Sequence, residues 1–481
     1  MSHIYGVFEP IFFQYVEESV LDHHTFQMQK RKLIFSPTRT IVASFCLVIL
    51  TGTLLLMLPF ATRDGEIALV DALFTATSAT CVTGLIVYDT FTKFTIFGQA
   101  VILMLIQVGG LSLVTLATFF GFALRKKVGF KSMMLASESI SLDQAASARR
   151  MINLVICTSF GFELAGATAL AAVLVPRFGA GGIWMSVFTA VSAFCNAGFD
   201  IFGFLGQYGS LTPFADSWYI LTIVMLLIIC GGLGFIVWQD LFELPRRRKL
   251  ALHTKLVLAG TAVLIFGGAA AIGAMEWSNP DTMGGMPFSQ KILSSLFQSV
   301  TCRTAGFNSI DQAGMHSITK LICTLLMFIG AAPGGTGGGV KVTTFTIIML
   351  TVAGVLRGRE DPVLHERRID KKTVYRALSI VTLALGVLIC TTLFMVFDTP
   401  VPGGRIDDNL IDCLFEAASA FGTVGLSSGV TAMLSPLVKV VTSLTMLIGR
   451  VGPVSMGMTL AAQASELARR EVLPEAKIVV G

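Results

Sequence analysis

LIDCLFEAASAFGTVGLSSGV, residues 410–430, decides the fold, because the chain carries its pattern four times. The other copies are LVDALFTATSATCVTGLIVYD (69–89), IWMSVFTAVSAFCNAGFDIFG (183–203) and KILSSLFQSVTCRTAGFNSID (291–311). Each reads as a short apolar helix with a Phe near its start, then small residues, then a Gly followed by Leu or Phe. The Phe precedes the Gly by ten positions at Phe74/Gly84, Phe188/Gly198 and Phe415/Gly425. Phe297 precedes Gly306 by nine, so the third copy is one residue shorter. Each segment is too short to cross a bilayer and lies between two apolar runs that are long enough. The repeated unit is span, half-helix, extended Gly-containing segment, span.

Composition agrees. The chain of 481 residues is 54% hydrophobic and 14% charged, with a mean hydropathy of +0.76. Soluble domains average roughly 25% charged residues, so a set of soluble domains is excluded. Apolar runs of about 20 residues, enough to cross the hydrocarbon, fall near 40–61, 95–124, 151–175, 216–242, 251–275, 317–355, 374–398 and 432–462. The expectation is an all-α polytopic membrane protein of about eight transmembrane helices. It divides into an N-terminal cytoplasmic extension (1–38), pore repeat 1 (39–126), repeat 2 (127–242), repeat 3 with an interrupted second span (243–358), and repeat 4 with a tail (359–481).

Charge gives the sidedness. Of 35 Lys and Arg, four lie in residues 1–40, six in 125–150, five in 240–255, seven in 356–376 and three in the tail, whereas the alternate connections hold eight. Positive charge stays inside. Both termini are therefore expected in the cytoplasm, and the net charge of +5 is a topology signal with no basic soluble domain to offer nucleic acid. The first 24 residues lack a basic region ahead of an apolar one and do not read as a signal peptide. The nine cysteines have no zinc-like spacing, and the six histidines lie outside the spans or at their ends. Neither a metal cluster nor a nucleophile–base pair stands at one depth, so no enzyme chemistry and no resident cofactor are expected.

Non-helical backbone at membrane depth is tolerated where it is buried in protein or lines a watery path. Four such segments converge most economically on one axis, in a pseudo-fourfold arrangement. Extended backbone there offers rings of carbonyl oxygens that can replace the water shell of a potassium ion. The half-helices aim their negative C-terminal ends at the same place. The candidate selectivity filter is Val82, Thr83 and Gly84; Asn196, Ala197 and Gly198; Thr304, Ala305 and Gly306; and Thr423, Val424 and Gly425. The competing reading is a secondary active cation transporter, sodium- or proton-coupled, with broken helices at its midplane site. Its inverted repeats and intramembrane acid or histidine chain are not what this sequence displays.

The motifs CVTGL, CNAGFD, TCRTAGFN and GTVGL, the run PGGTGGG and IGRVGP at 448–453 resemble the Trk/Ktr/HKT superfamily of potassium transporters. The likeness covers roughly residue 30 to the C-terminus and is greatest to the Ktr membrane subunit, although the extension of about 30 residues departs from that pattern. The resemblance implies a channel-like potassium-uptake subunit, one key glycine per filter segment (Gly84, Gly198, Gly306, Gly425), and a homodimer in the plasma membrane. It also implies a cytoplasmic RCK-type regulatory ring that binds ATP/ADP or NAD, for which the basic inner connections are candidate docking surfaces. In plant relatives serine at the first glycine goes with sodium selectivity, so Gly84 favours potassium. Whether sodium activates transport stays open.

The run GAAPGGTGGGVKVTT (330–344) superficially suggests a phosphate cradle. A Walker motif places lysine directly after the last glycine and a hydroxyl residue next; here Val340 separates Gly339 from Lys341, and Val342 follows. Five glycines in positions 334–339, each costing a helix about 1 kcal/mol, and Pro333 break the sixth span in mid-membrane. The candidate gate loop is Pro333, Gly334, Gly335, Thr336, Gly337, Gly338, Gly339 and Lys341. Charges at membrane depth default to functional candidates. Arg450 is the expected positive barrier below the filter, a role the resemblance supports. Glu163 is the expected partner of Arg450 or Lys341, with Lys341 otherwise a second positive charge at the gate. Asp71 and Asp412 are expected to serve the free N–H groups of their half-helices, and Arg303 to brace the filter from behind.

Overall fold

The computed structural model describes residues 37–111, 145–358, 362–364, 367–398 and 406–453. Repeat 1 consists of α1 (Pro37–Leu56), the half-helix α2 (Leu69–Thr80) and α3 (Ile96–Gly110). Repeat 2 follows with α4 (Ala145–Phe178), the half-helix α5 (Gly181–Phe194), α6 (Trp218–Gly232) and α7 (Phe235–Arg247). In repeat 3, α8 (Leu252–Glu276) and the half-helix α9 (Phe288–Thr301) precede α10 (Ser317–Phe328) and α11 (Val342–Leu356). A two-stranded hairpin, β1 (Val363–Leu364) against β2 (Arg367–Arg368), leads to repeat 4: α12 (Lys371–Asp398), the half-helix α13 (Ile406–Gly422) and α14 (Pro436–Val451). The N-terminal extension up to residue 36, most of the basic connection at 125–150 and the tail from 454 lie outside the described residues.

Local sequence explains these boundaries. Thr95, Ser217 and Ser435 cap α3, α6 and α14, each side-chain oxygen accepting an N–H of the first turn, and Pro436 opens α14. Among the described residues, α8, α12 and α4 from Met151 onward are long and apolar enough to cross a bilayer. The second helix of each unit is shorter, 12 to 16 residues, and stops at or within two residues of a glycine.

One boundary differs from expectation. Residues 216–242 were to form one continuous span, yet α6 and α7 meet at a 94° bend. Gly234 takes a φ of +88°, and the Phe235 N–H donates to the Gly334 carbonyl at 3.1 Å. The break is therefore held by the Gly-rich run of the next repeat, a partner that sequence periodicity does not report.

The units close into a circle. Helix α3 packs on α5, α6 on α9, α10 on α13, and α14 returns to α2, so the last repeat sits beside the first. Each second helix thus supports the half-helix of the next unit. Phe74, Phe188, Phe297 and Phe415, at matching positions of the half-helices, are fully buried. Polar ties reinforce three of the four contacts. Lys439 of α14 pairs with Asp71 of α2 at 2.7 Å, Lys320 of α10 with Asp412 of α13 at 2.7 Å, and the Trp184 indole N–H of α5 donates to Gln99 of α3 at 2.9 Å.

Candidate functional site

The four extended segments after the half-helices meet at the centre. Two residues before each key glycine the backbone turns left-handed: Val82 (φ +57°), Asn196 (+60°), Thr304 (+74°) and Thr423 (+50°). Such a φ is uncommon outside glycine and unusual for β-branched residues, and fourfold recurrence marks it as a property of the unit. Three copies share one turn, in which Thr83, Ala197 and Val424 donate their N–H to the carbonyls of Ser78, Ser192 and Ser419, each at 2.8 Å. The shorter third copy closes one residue tighter, Ala305 N–H to the Thr301 carbonyl at 3.0 Å. The missing residue is absorbed inside the turn, and the glycine stays level with the others.

The glycines form a closed ring. All four have positive φ, from +68° at Gly198 to +95° at Gly425. A Cβ added at Gly84 would overlap the Ala197 carbonyl oxygen and come within 3.0 Å of Gly198 Cα. One at Gly198 would meet the Ala305 oxygen, one at Gly306 the Val424 oxygen, and one at Gly425 the Thr83 oxygen. Each segment therefore presses a carbonyl against the glycine of the segment before it, and the first presses on the fourth. The residues preceding each glycine (Val82, Thr83, Asn196, Ala197, Thr304, Ala305, Thr423 and Val424) are fully buried. What converges is backbone oxygen, backed by the negative ends of four helices. That set suits a cation.

Directly beneath lies the run from Gly330 to Lys341, which is a folded excursion with paired ends. Ile329 and Val340 form a parallel bridge, with Gly330 N–H donating to the Val340 carbonyl at 2.8 Å. Between them, Thr336 N–H donates to the Gly231 carbonyl and its hydroxyl to the Phe194 carbonyl, both at 3.2 Å. Gly338 N–H donates to Thr423 Oγ1 at 3.0 Å, and Gly339 N–H to the Gly449 carbonyl at 3.3 Å. The candidate gate residues thus touch repeats 2 and 4 as well as their own.

The charges pair differently from expectation. Arg450 donates to the carbonyls of Thr336 and Gly109, not to Glu163. Lys341 folds back on its own loop, its Nζ 2.6 Å from the Gly337 carbonyl. Glu163 accepts from Gln107 Nε2 at 3.0 and 3.2 Å, with Cys195 Sγ at 3.8 Å. The physical reason is the broken second helices. The last carbonyls of a helix have no internal partner, as at Gly109 near the end of α3, and the non-helical run leaves Thr336 and Gly337 open in the same way, so cationic donors satisfy them without a carboxylate. Asp71 and Asp412 are spent on Lys439 and Lys320, with Asp71 also accepting from the Tyr88 hydroxyl at 2.9 Å, not on their own helix ends. Arg303 is buried and makes one long hydrogen bond, 3.5 Å, to the Gly330 carbonyl at the start of the run. Its hydrogen bond is to a neighbouring loop, the run beneath the ring.

Several supporting residues escaped the sequence reading. Ser78 and Ser419 accept the N–H of Gly84 and Gly425 at 3.1 and 3.0 Å. One residue past the Phe that recurs in each half-helix, Glu416 binds Ser427 and Thr431 (2.5 and 2.8 Å), and Gln298 binds Gln312 (2.6 Å). Both tie the chain after the filter to its half-helix. The spacing of serine six before glycine in three copies (Ser78, Ser192 and Ser419) is a signal that alignment of the repeats could have found; the Glu416 and Gln298 partners are set by loop conformation. After the second segment, burial pushes the Asp200 carboxyl up to about 6 against the opposing pull of the Phe202 N–H, and nearby Asp89 adds to the rise.

A bundle of membrane helices that brings backbone oxygens from four re-entrant segments into one ring defines an integral membrane cation transport protein. The family described as "TrkH: Cation transport protein" matches residues 7–466, and the chain belongs to that family. It is 37% identical over 439 residues to the Ktr system potassium uptake protein B of Bacillus subtilis, covering 90% of this chain and 96% of the relative. It is equally similar, 37% over 459 residues, to the potassium/sodium uptake protein NtpJ of Enterococcus hirae (94% and 99% covered). The crystal structure of the potassium transporter TrkH from Vibrio parahaemolyticus shares the fold, with a TM-score of 0.67 at 17% identity over 89% of this chain and 85% of that one.

Proposed function

We propose that this protein is the potassium-selective translocation subunit of an uptake system, passing ions down their electrochemical gradient through one pore per chain. The observation that carries the reading is the closed ring of Gly84, Gly198, Gly306 and Gly425, in which each glycine meets the carbonyl of the next segment. The residues at 82–84, 196–198, 304–306 and 423–425 are the filter. The run from Pro333 to Lys341 is the gate, and Arg450 holds it across the path by binding Thr336. A dimer of such chains on a cytoplasmic nucleotide-binding ring, in the plasma membrane with both termini inside, completes the assembly. The relative from Bacillus subtilis is a Ktr system protein by name, which supports a chain that works with partner components.

The two 37% relatives differ in the cation that their names give, so sodium is the ion to compare. Expression in potassium-uptake-deficient cells should restore growth at low external potassium. Uptake in these cells should favour rubidium over sodium. Growth without rescue, or sodium uptake equal to that of rubidium, sinks the potassium-selective reading.

A further inference from the structure

The four left-handed residues below the filter glycines do not face the same neighbours. Val82 lies against Gly109 and Asn196 against Gly232, at the ends of α3 and α6. Thr304 and Thr423 instead sit on the Gly-rich run. Gly337 lies against Thr304 Oγ1, and the Gly338 N–H donates to Thr423 Oγ1 at 3.0 Å. Thr304 is also occupied by Asn196, 3.1 Å away. Thr423 is fully buried, belongs to the strained turn of the fourth segment, and is separated from Gly425 by Val424 alone. One hydroxyl therefore joins the run to the ring.

We propose that the Thr423 hydroxyl latches the Gly-rich run to the base of the filter. It is a positioning residue: the run cannot leave without surrendering that hydrogen bond, and the strained turn cannot move without disturbing the run. Filter and gate are thereby coupled through the fourth repeat. The run has no side chain at Gly338 to make the contact otherwise, and a Cβ there would lie 2.5 Å from Thr423 Oγ1 and 2.8 Å from its Cγ2. Glycine at 338 is needed for the approach, and a hydroxyl at 423 for the bond. The inference rests on reading Gly334–Gly339 as the gate.

The test is rubidium uptake by cells making the full chain, normalised to the amount of protein at the membrane. Thr423→Val keeps the β-branch and removes the acceptor; it should raise uptake about fivefold, the worth of one buried hydrogen bond. Thr423→Ser keeps the hydroxyl and should fall well short of the rise that Thr423→Val gives. With residues 337–339 shortened, Thr423→Val should add nothing further. Should Thr423→Val not reach the membrane, Gly338→Ala, which wedges the run off the same hydroxyl, should give the same rise. The latch is overturned by parental uptake in Thr423→Val and Gly338→Ala, by Thr423→Ser acting like Thr423→Val, or by an equal rise in the shortened background. If shortening the run itself leaves uptake unchanged, the gate reading fails, a result distinct from failure of the latch alone.

Discussion

The ring of filter glycines and the run beneath it are both built from glycine, and they are held by opposite means. In the ring, each glycine meets a carbonyl of the adjoining segment, the contacts run in one direction around four segments, and the fit admits no Cβ. In the run, separate hydrogen bonds tie single residues to α6, α14, the half-helix of repeat 2 and Thr423. A fit by shape fails as a whole. Bonds worth about 1 kcal/mol each can break one after another. The contrast teaches why one region can stay fixed while the other moves, although both look equally pliable in sequence.

Filling the ring should have the largest effect. Gly425→Ala combines a φ of +95° with overlap on the Thr83 carbonyl, and should cost about 3 kcal/mol or more and abolish rubidium uptake. Thermal melting of the purified protein together with flux measures both, and near-parental values would break the comparison. Next come the outer ties that support the ring. Lys439→Met leaves Asp71 buried without its cation and should destabilise by about 3 kcal/mol. Lys320→Met should cost less, because the Asp412 side chain is 27% exposed against 8% for Asp71. Equal melting temperatures for the two variants would show that burial does not set the cost.

Loosening the run should act in the other direction. Arg450→Ala frees the Thr336 and Gly109 carbonyls and should raise flux about tenfold, the scale of a charge-assisted hydrogen bond. Unchanged or lower flux in a well-folded protein would refute the barrier. Gly84→Ser tests whether the ring also selects. Its side chain must displace the Ala197 carbonyl, so sodium uptake relative to rubidium should rise a few-fold, about 1 kcal/mol of lost discrimination; an unchanged ratio removes the filter from the selectivity argument. The smallest effect concerns Asp200, just after the second segment. With its carboxyl near 6, Asp200 is ionised at pH 7 and increasingly neutral as external pH falls below 6. Uptake at low potassium should then decline by about twofold through lost cation attraction, and Asp200→Asn should flatten that profile.

The sequence by itself determined more of the fold than of the charge pairing. Four aligned copies, alternating basic connections and apolar runs fix the membrane class, the re-entrant segments and their glycines, because hydrophobic length and chain stereochemistry are local properties. The interruption at Gly334–Gly339 was legible for the same reason. The bend at Gly234 was not, since the three glycines of GGLG weaken a helix without saying where it breaks, and the break is placed by the Gly334 carbonyl accepting the Phe235 N–H. Nor were the partners of Glu163, Lys341 and Arg450 legible. A charge in the membrane must find complementary groups, but which acceptors stand open depends on where other helices end. The tertiary structure decided that, by stopping α3 at Gly110 and folding the run beneath Thr304 and Thr423, so that backbone carbonyls took the place that a carboxylate was expected to fill.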